Sequence, residues 1–170
     1  FPECGTDNDC NKRLDESSSN GPVQAYIADE LLFRHWTDYK GEKESFLVLF
    51  DTKENKYQTI ISSNVLSGTY MLGGGPKYAF SPDSRVLSYV STSEKNIANS
   101  TNTDVYLLPL GGKEAVNITV ANNAWDGGVL FSPDGKYIVF ESNRDNPDFL
   151  DRYRLYIYSL EDNTVEPITP

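Results

Sequence analysis

Phe131-Ser132-Pro133-Asp134-Gly135-Lys136-Tyr137-Ile138-Val139-Phe140-Glu141-Ser142 reads as strand, tight turn, strand. Pro133 stands where a turn wants φ near −65° and Gly135 where φ turns positive, and β-branched and aromatic residues flank them. Alone, such a turn is common. Its first four residues also stand 51 positions earlier as Phe80-Ser81-Pro82-Asp83, with Ser84 in the place of the glycine. The likeness spreads outward from the turn. Val105-Tyr106-Leu107-Leu108 returns as Leu155-Tyr156-Ile157-Tyr158, and Asn117-Ile118-Thr119 as Pro167-Ile168-Thr169, each after 50 residues. A weaker earlier copy sets Leu47-Val48-Leu49-Phe50 and Ile60 each 58 positions before its counterpart. A repeat of this period decides architecture before any other signal.

Each copy holds four short apolar runs bounded by Gly, Pro, Asn and Asp, with hardly any 3.6-residue periodicity. In the third copy the expected strands are 129–131, 137–141, 154–159 and 165–169. In the second they are 78–80, 86–91, 104–108 and 115–119, and in the degenerate first copy 23–27, 31–36, 45–51 and 56–62. Tyr137-Ile138-Val139-Phe140 is apolar at successive positions, as expected when both faces of a sheet are covered. Four-stranded units stacked face to face are propeller blades. The fold class expected is all-β: a partial β-propeller of about three four-stranded antiparallel blades. Residues 1–21 form a polar arm without hydrophobic periodicity, 22–74 the first blade and its connection, 75–121 the second blade and 122–170 the third. Rings of this kind have four to eight blades, so three of them read as part of a longer propeller.

Fifteen Lys and Arg against 25 Asp and Glu leave a net charge of −10 over 170 residues, with no basic stripe to neutralise a phosphate backbone, which argues against nucleic acid as a partner. No apolar run approaches the roughly 20 residues of a membrane helix, so no membrane partner is expected either. Asp7, Asp9 and Asn11 imitate the start of a calcium loop, but Lys12 stands where such a loop needs Gly and Ser18 where it needs Glu. No metal and no cofactor are expected. Cys4 and Cys10 lack a second Cys pair or a nearby His, which disfavours zinc; a short disulfide loop is the favoured reading, two free surface thiols the other. A disulfide would place the chain in an oxidising compartment, periplasmic or secreted. Asn99-Ser100-Thr101 and Asn117-Ile118-Thr119 match the glycosylation sequon, a pattern common by chance.

Phe131 to Ser142 followed by Arg154-Leu155-Tyr156-Ile157-Tyr158-Ser159-Leu160 resembles the repeat of TolB-type propellers, which also builds the N-terminal propeller of prolyl-oligopeptidase-like serine peptidases. Leu31-Leu32-Phe33-Arg34-His35-Trp36, Ser100-Thr101-Asn102-Thr103-Asp104-Val105-Tyr106-Leu107 and Trp125-Asp126-Gly127-Gly128 resemble the dipeptidyl-peptidase and acylaminoacyl-peptidase branch, and Phe1-Pro2-Glu3-Cys4 with Cys10 resembles its exported members. The resemblance implies a nucleophile on a G-x-S-x-G elbow in a C-terminal α/β-hydrolase domain of the same parent chain. This chain has no such elbow, and Gly73-Gly74-Gly75 lacks the Lys-Ser/Thr of a phosphate loop. His35, the sole imidazole, sits in an apolar run beside Trp36 and reads as packed rather than catalytic. No catalytic residue is therefore assigned. The function implied is that of a non-catalytic propeller segment that gates and orients peptide substrate for the hydrolase domain. The alternative is a non-enzymatic TolB-like periplasmic propeller that binds a protein partner.

Strand order says where binding residues belong. Turns joining first to second and third to fourth strands lie at one end of a blade and are short here; loops 37–44, 92–103, 120–127 and 142–153 lie at the other and are long. Within them Arg144, Asp151 and Arg152 suit the charged ends of a peptide. The resembling family often carries a Glu in this loop; Leu150 stands near that place. Trp125 and Asp126, in a blade-to-blade connection at the same end, complete the candidates for substrate or partner contact, though Trp125 reads as wedged between blades rather than stacked on a ligand. Exposed blade faces would also permit self-association, two copies closing a six-blade ring.

Overall fold

The computed structural model describes residues 1–25, 28–29, 34–35, 38–39, 47–61, 78–94, 100–112, 114–143 and 152–170. The chain divides into two units, Phe1–Tyr70 with Asn96–Asn99 and Met71–Lys95 with Ser100–Pro170.

The first unit opens with a helix, α1 (Asn8–Asn20), where the sequence suggests an unstructured arm. None of its residues is buried, so no hydrophobic stripe marks it. Local chemistry holds it instead. Asp7 caps the first turn, its Oδ1 accepting from the Cys10 amide at 2.9 Å. Asn11 Nδ2 donates to the Gly5 and Asp7 carbonyls, and a Cys4–Cys10 disulfide closes the loop over the same turn. At the other end Gln24 folds back onto the Gly21 and Ser19 carbonyls at 2.9 and 3.2 Å. That explains why residues 23–25 are not in a strand.

Four strands follow in this unit: β1 (Arg34–His35) with β2 (Asp38–Tyr39), and β3 (Leu47–Asp51) with β4 (Lys56–Ile61), two antiparallel pairs. Asp51 Oδ1 accepts the Lys53 and Glu54 amides and turns β3 into β4. Thus β3 and β4 match the third and fourth strands expected of the first blade. The remainder of its expected strands, 26–27, 31–33 and 36, lies outside the described residues.

The second unit holds two four-stranded antiparallel meanders. One runs β5 (Tyr78–Phe80), β6 (Val86–Ser91), β7 (Asp104–Pro109), β8 (Val116–Asn117); the other β9 (Asp126–Phe131), β10 (Tyr137–Ser142), β11 (Arg154–Ser159), β12 (Thr164–Pro167). Repetition in sequence is repetition in bonding. At the first turn Ser81 Oγ donates to Asp83 Oδ1 at 2.6 Å and accepts from the Val86 amide at 2.9 Å. At the second, Ser132 Oγ donates to Asp134 Oδ1 at 2.6 Å and accepts from the Tyr137 amide at 2.9 Å. Both aspartates are held below the usual carboxylate range, first by the serine hydroxyl and then by a backbone amide. Tyr89 stacks on Tyr106 in one blade and Phe140 on Tyr156 in the other, with centroids 5.2 and 5.8 Å apart.

Strand ends depart from the sequence reading for identifiable reasons. β8 and β12 stop early because a threonine hydroxyl takes over from the ladder: Thr119 Oγ1 accepts the Val105 amide and Thr169 Oγ1 the Leu155 amide, both at 2.9 Å. β9 begins three residues before Val129. Gly127-Gly128 conceal it, since Gly128 takes φ +63° beside a register shift between Val139 and Glu141.

β9 packs against β5, β6 and β7, so the third blade covers a face of the second. Val90, Val105, Val129, Ile138 and Phe140 are almost wholly buried there. β6 is buried at every position from Leu87 to Ser91, on both faces. β10 is not: Ile138, Phe140 and Ser142 are buried, whereas Val139 and Glu141 are half-exposed. The expectation of two covered faces therefore holds for the second blade and fails for the third, whose outer face carries Leu130 and Leu155 in the open.

Two outcomes test these devices. Ser84 holds φ +57° where its counterpart Gly135 sits at +70°, so Ser84→Gly should raise the unfolding free energy by about 1 kcal/mol in urea titration. Reduction of Cys4–Cys10 should cost far-UV helical signal and leave the blade signal intact, because a 13-residue helix with no buried residue is marginal without its staple.

Candidate functional site

The meander order brings the ends of β6, β8 and β10 and the starts of β7, β9 and β11 to one end of the second unit. A buried polar cluster lies there: Thr103, Asp104, Thr119, Asn122, Asp126, Ser142 and Asn143. Most of its bonds join residues far apart in sequence. Thr103 and Trp125 form a parallel bridge, the Asp126 amide donating to the Thr103 carbonyl at 3.0 Å. Thr103 Oγ1 donates in turn to the Asp126 carbonyl at 2.8 Å. Asn122 Nδ2 reaches Asp126 Oδ1 at 2.9 Å and Ser142 Oγ at 3.3 Å, and Thr119 Oγ1 lies 3.3 Å from Asp104 Oδ1. Asn143 grips the Trp125 backbone twice, accepting its amide on Oδ1 at 2.8 Å and donating its own amide to the carbonyl at 3.2 Å.

Burial dominates the electrostatics. Asp126 is 0% exposed, and desolvation pushes its carboxyl up to about 6 against the opposing pull of Ser142, Asn122 and Thr119; nearby Asp104 pushes the same way. Burial likewise raises Asp104, which Asn117 and Thr119 hold back and Glu94 pushes further. Asp126 Oδ2 and Trp125 Nε1 are buried without a hydrogen-bond partner. Tyr89 is pushed up to about 12 by burial and by Tyr106. Among the described residues no group of three or more His, Cys, Asp or Glu side chains is placed to hold a metal ion. The cluster can tie one blade to the next and take up a proton; it offers no nucleophile paired with a base.

No family model matches the chain. The chain is 27% identical, over 91% of its length, to a protein from Aspergillus niger named "Probable dipeptidyl-peptidase 5", and 26% identical over 85% to one of the same name from Emericella nidulans. It spans about a quarter of the length of these relatives. Among solved structures, TolB from Acinetobacter baumannii matches 75% of the chain, and 27% of its own, at a TM-score of 0.54 and 20% identity. The chain thus has the fold of a TolB-like propeller segment, and its sequence is similar to proteins named dipeptidyl-peptidase 5.

Of the site residues named from sequence, the propeller brings only Trp125 and Asp126 together, and it buries both. At 4% and 0% exposure both are buried, so neither side chain is open to a substrate or partner as an exposed contact residue would be. A blade-to-blade connection must thread between two sheets, so its large side chain is the natural wedge; the Trp125 ring meets Tyr153 edge-on, centroids 4.8 Å apart. Arg152 is exposed at the expected end. Arg144 and Asp151 lie outside the described residues. Asp104, Thr119, Asn122, Ser142 and Asn143 went unnamed as site residues. A faint signal existed for Thr119, whose Ile-Thr pair recurs at Ile168-Thr169 with the same amide bond.

Gly127 shows how tightly the wedge fits. A methyl group there would come within 2.6 Å of Trp125 Cη2, a ring atom fixed by burial. Gly127→Ala should therefore destabilise the chain by about 1–3 kcal/mol and perturb indole fluorescence, read by urea titration at 25 °C.

Proposed function

We propose that this chain is part of the propeller wall of an exported serine peptidase, gating and orienting peptide substrate for an α/β-hydrolase domain encoded beyond it. The observation that carries the reading is its identity, across nearly all its length, to about a quarter of proteins named dipeptidyl-peptidase 5. Three further features support it. The second and third blades are four-stranded modules, and the sequence contains no nucleophilic elbow. Loops of the second unit gather at one end, where Arg152 is exposed to meet a charged peptide terminus. A disulfide favours an oxidising compartment, periplasmic or secreted.

On this reading the outer face of the third blade, with Leu130, Val139, Leu155 and Ile157, receives the next blade of the parent. Closure of a ring by two copies of this chain is the competing use of the same face. Likeness to TolB supports a second reading, a non-enzymatic periplasmic propeller that binds a protein partner.

The purified 170-residue chain should hydrolyse neither dipeptidyl nor acyl-amino-acid reporter substrates and should not react with a fluorophosphonate probe, whereas the parent protein should do both. A parent that takes up no probe and turns over no substrate would favour the TolB-like binder, and stoichiometric labelling of this chain would overturn its non-catalytic role. Light scattering at high concentration decides self-closure, since a dimer mass supports the two-copy ring and a monomer excludes it.

A further inference from the structure

The carboxylate of Asp126 is wholly buried beside the link between two blades. One oxygen, Oδ1, accepts from Asn122; the other, Oδ2, is buried and unpartnered. The backbone of the same residue carries the link between blades, since its amide and carbonyl both bond Thr103, one residue before β7. That parallel pairing sets Asp104 next to Asp126 across the seam. An ionisable group therefore sits on the link itself, opposite a second acid.

We propose that Asp126 is a proton-operated latch between the second and third blades: carrying a proton it leaves the seam closed, and losing it places two buried anions side by side and loosens the seam. The groups around it act consistently. From β7 comes Asp104, and behind it Glu94, which acts on Asp104, and Tyr106, on which Asp104 acts. Hydroxyls of Thr119 and Ser142 and the Asn122 amide supply the polar lining. On β10, Glu141 lies against Gly128, and on β11 Arg154 stands two strands from Asp126 in the same row. Among the described residues no cation acts on Asp126. Ionisation is thus unrelieved by a salt bridge, and the strain falls on the Thr103–Asp126 bonds and on the connection 120–125 that leads into β9.

The direction of the pH effect follows from linkage. The folded carboxyl titrates at about 6, above an unfolded value near 3.8, so the folded state binds the proton more tightly. Its stabilising contribution is complete below the unfolded value and is lost as pH rises through about 6. Two units correspond to a fall of about 100-fold in the folding equilibrium constant. The latch is closed in mildly acidic surroundings and slack at neutral pH and above.

Urea unfolding of the full chain at pH 4.5, 6.0 and 7.5 tests the latch, with Asp126→Asn and Asp104→Asn as variants. The wild-type equilibrium constant should fall ten- to a hundred-fold more than that of Asp126→Asn over this range, and Asp126→Asn should be the more stable protein at pH 7.5. Asp104→Asn should move the wild-type transition to lower pH. At pH 7.5, amide exchange at Thr103, Asp126 and Asn143, corrected for intrinsic rate, should be faster in wild type than in Asp126→Asn. Equal loss of stability in Asp126→Asn at every pH would reduce Asp126 to a structural residue and overturn the proposal. If that variant does not fold, the 13C carboxyl titration of Asp126 in the wild type decides: a midpoint near 6 supports the latch and one in the ordinary carboxylate range sinks it. Stabilisation at pH 7.5 by millimolar calcium or sodium that replaces the proton effect would also overturn it, in favour of a cation site.

Discussion

A four-stranded sheet has two faces and too little chain to cover either, so it becomes stable only when another sheet lies on it. The pairing of the second and third blades is where this chain meets that requirement. Val90 and Val105 on one blade and Val129, Ile138 and Phe140 on the other are at most 1% exposed. Removing each such side chain from water is worth about 1.5–3 kcal/mol. Five of them outweigh any single polar contact in the molecule. The strand order, the turn chemistry and the placement of loops all serve to hold these faces in register.

That margin explains how the seam tolerates Asp126 and Trp125. An unpartnered buried polar atom costs about 1–3 kcal/mol, and two such atoms, Asp126 Oδ2 and Trp125 Nε1, lie at the same junction. The apolar burial beside them offsets this cost without strain elsewhere. A polar seam of this kind adds little net stability, but it fixes geometry: Asn143 and Thr103 hold the backbone at Trp125 and Asp126 from two directions, so one blade cannot slide along the other without breaking several bonds.

How far the sequence foretold this depends on how local the chemistry is. The Ser-Pro-Asp turns were legible because everything they need lies within six residues, from Ser81 to Val86 and from Ser132 to Tyr137. Ser84 in place of glycine weakened the pattern and did not hide it, since the hydroxyl and carboxylate partners remained. Helix α1 was missed for the opposite reason: its stability rests on Asp7, Asn11 and a disulfide, none of which creates periodicity. The start of β9 was hidden behind two glycines chosen for closeness to Trp125 and Glu141 rather than for strand propensity. The polar seam was illegible because all but one of the bonds described there, Asn122 to Asp126, join residues 14 to 23 apart, and no spacing rule links Thr103 to Asp126 or Val105 to Thr119. The burial of Trp125 follows from its bulk in a connection between blades, whereas that of Asp126, a charged residue in the same connection, has no counterpart in the sequence pattern.

The two ends of the blades are thus built by different means. At the turn end each blade closes on itself through short-range bonds, so that end varies independently from blade to blade. At the loop end bonds run between blades, from Thr103 to the backbone of Ala124 and Asp126. The seam residues Ser142 and Asn143 stand at and just beyond the end of β10, and Thr103 stands directly before β7. A change of residue at Thr103 or Asp126 therefore bears on how neighbouring blades are held, whereas one in a Ser-Pro-Asp turn bears on a single blade. Bonds between blades at one end and self-contained turns at the other thus divide the task of linking blades from that of closing each one.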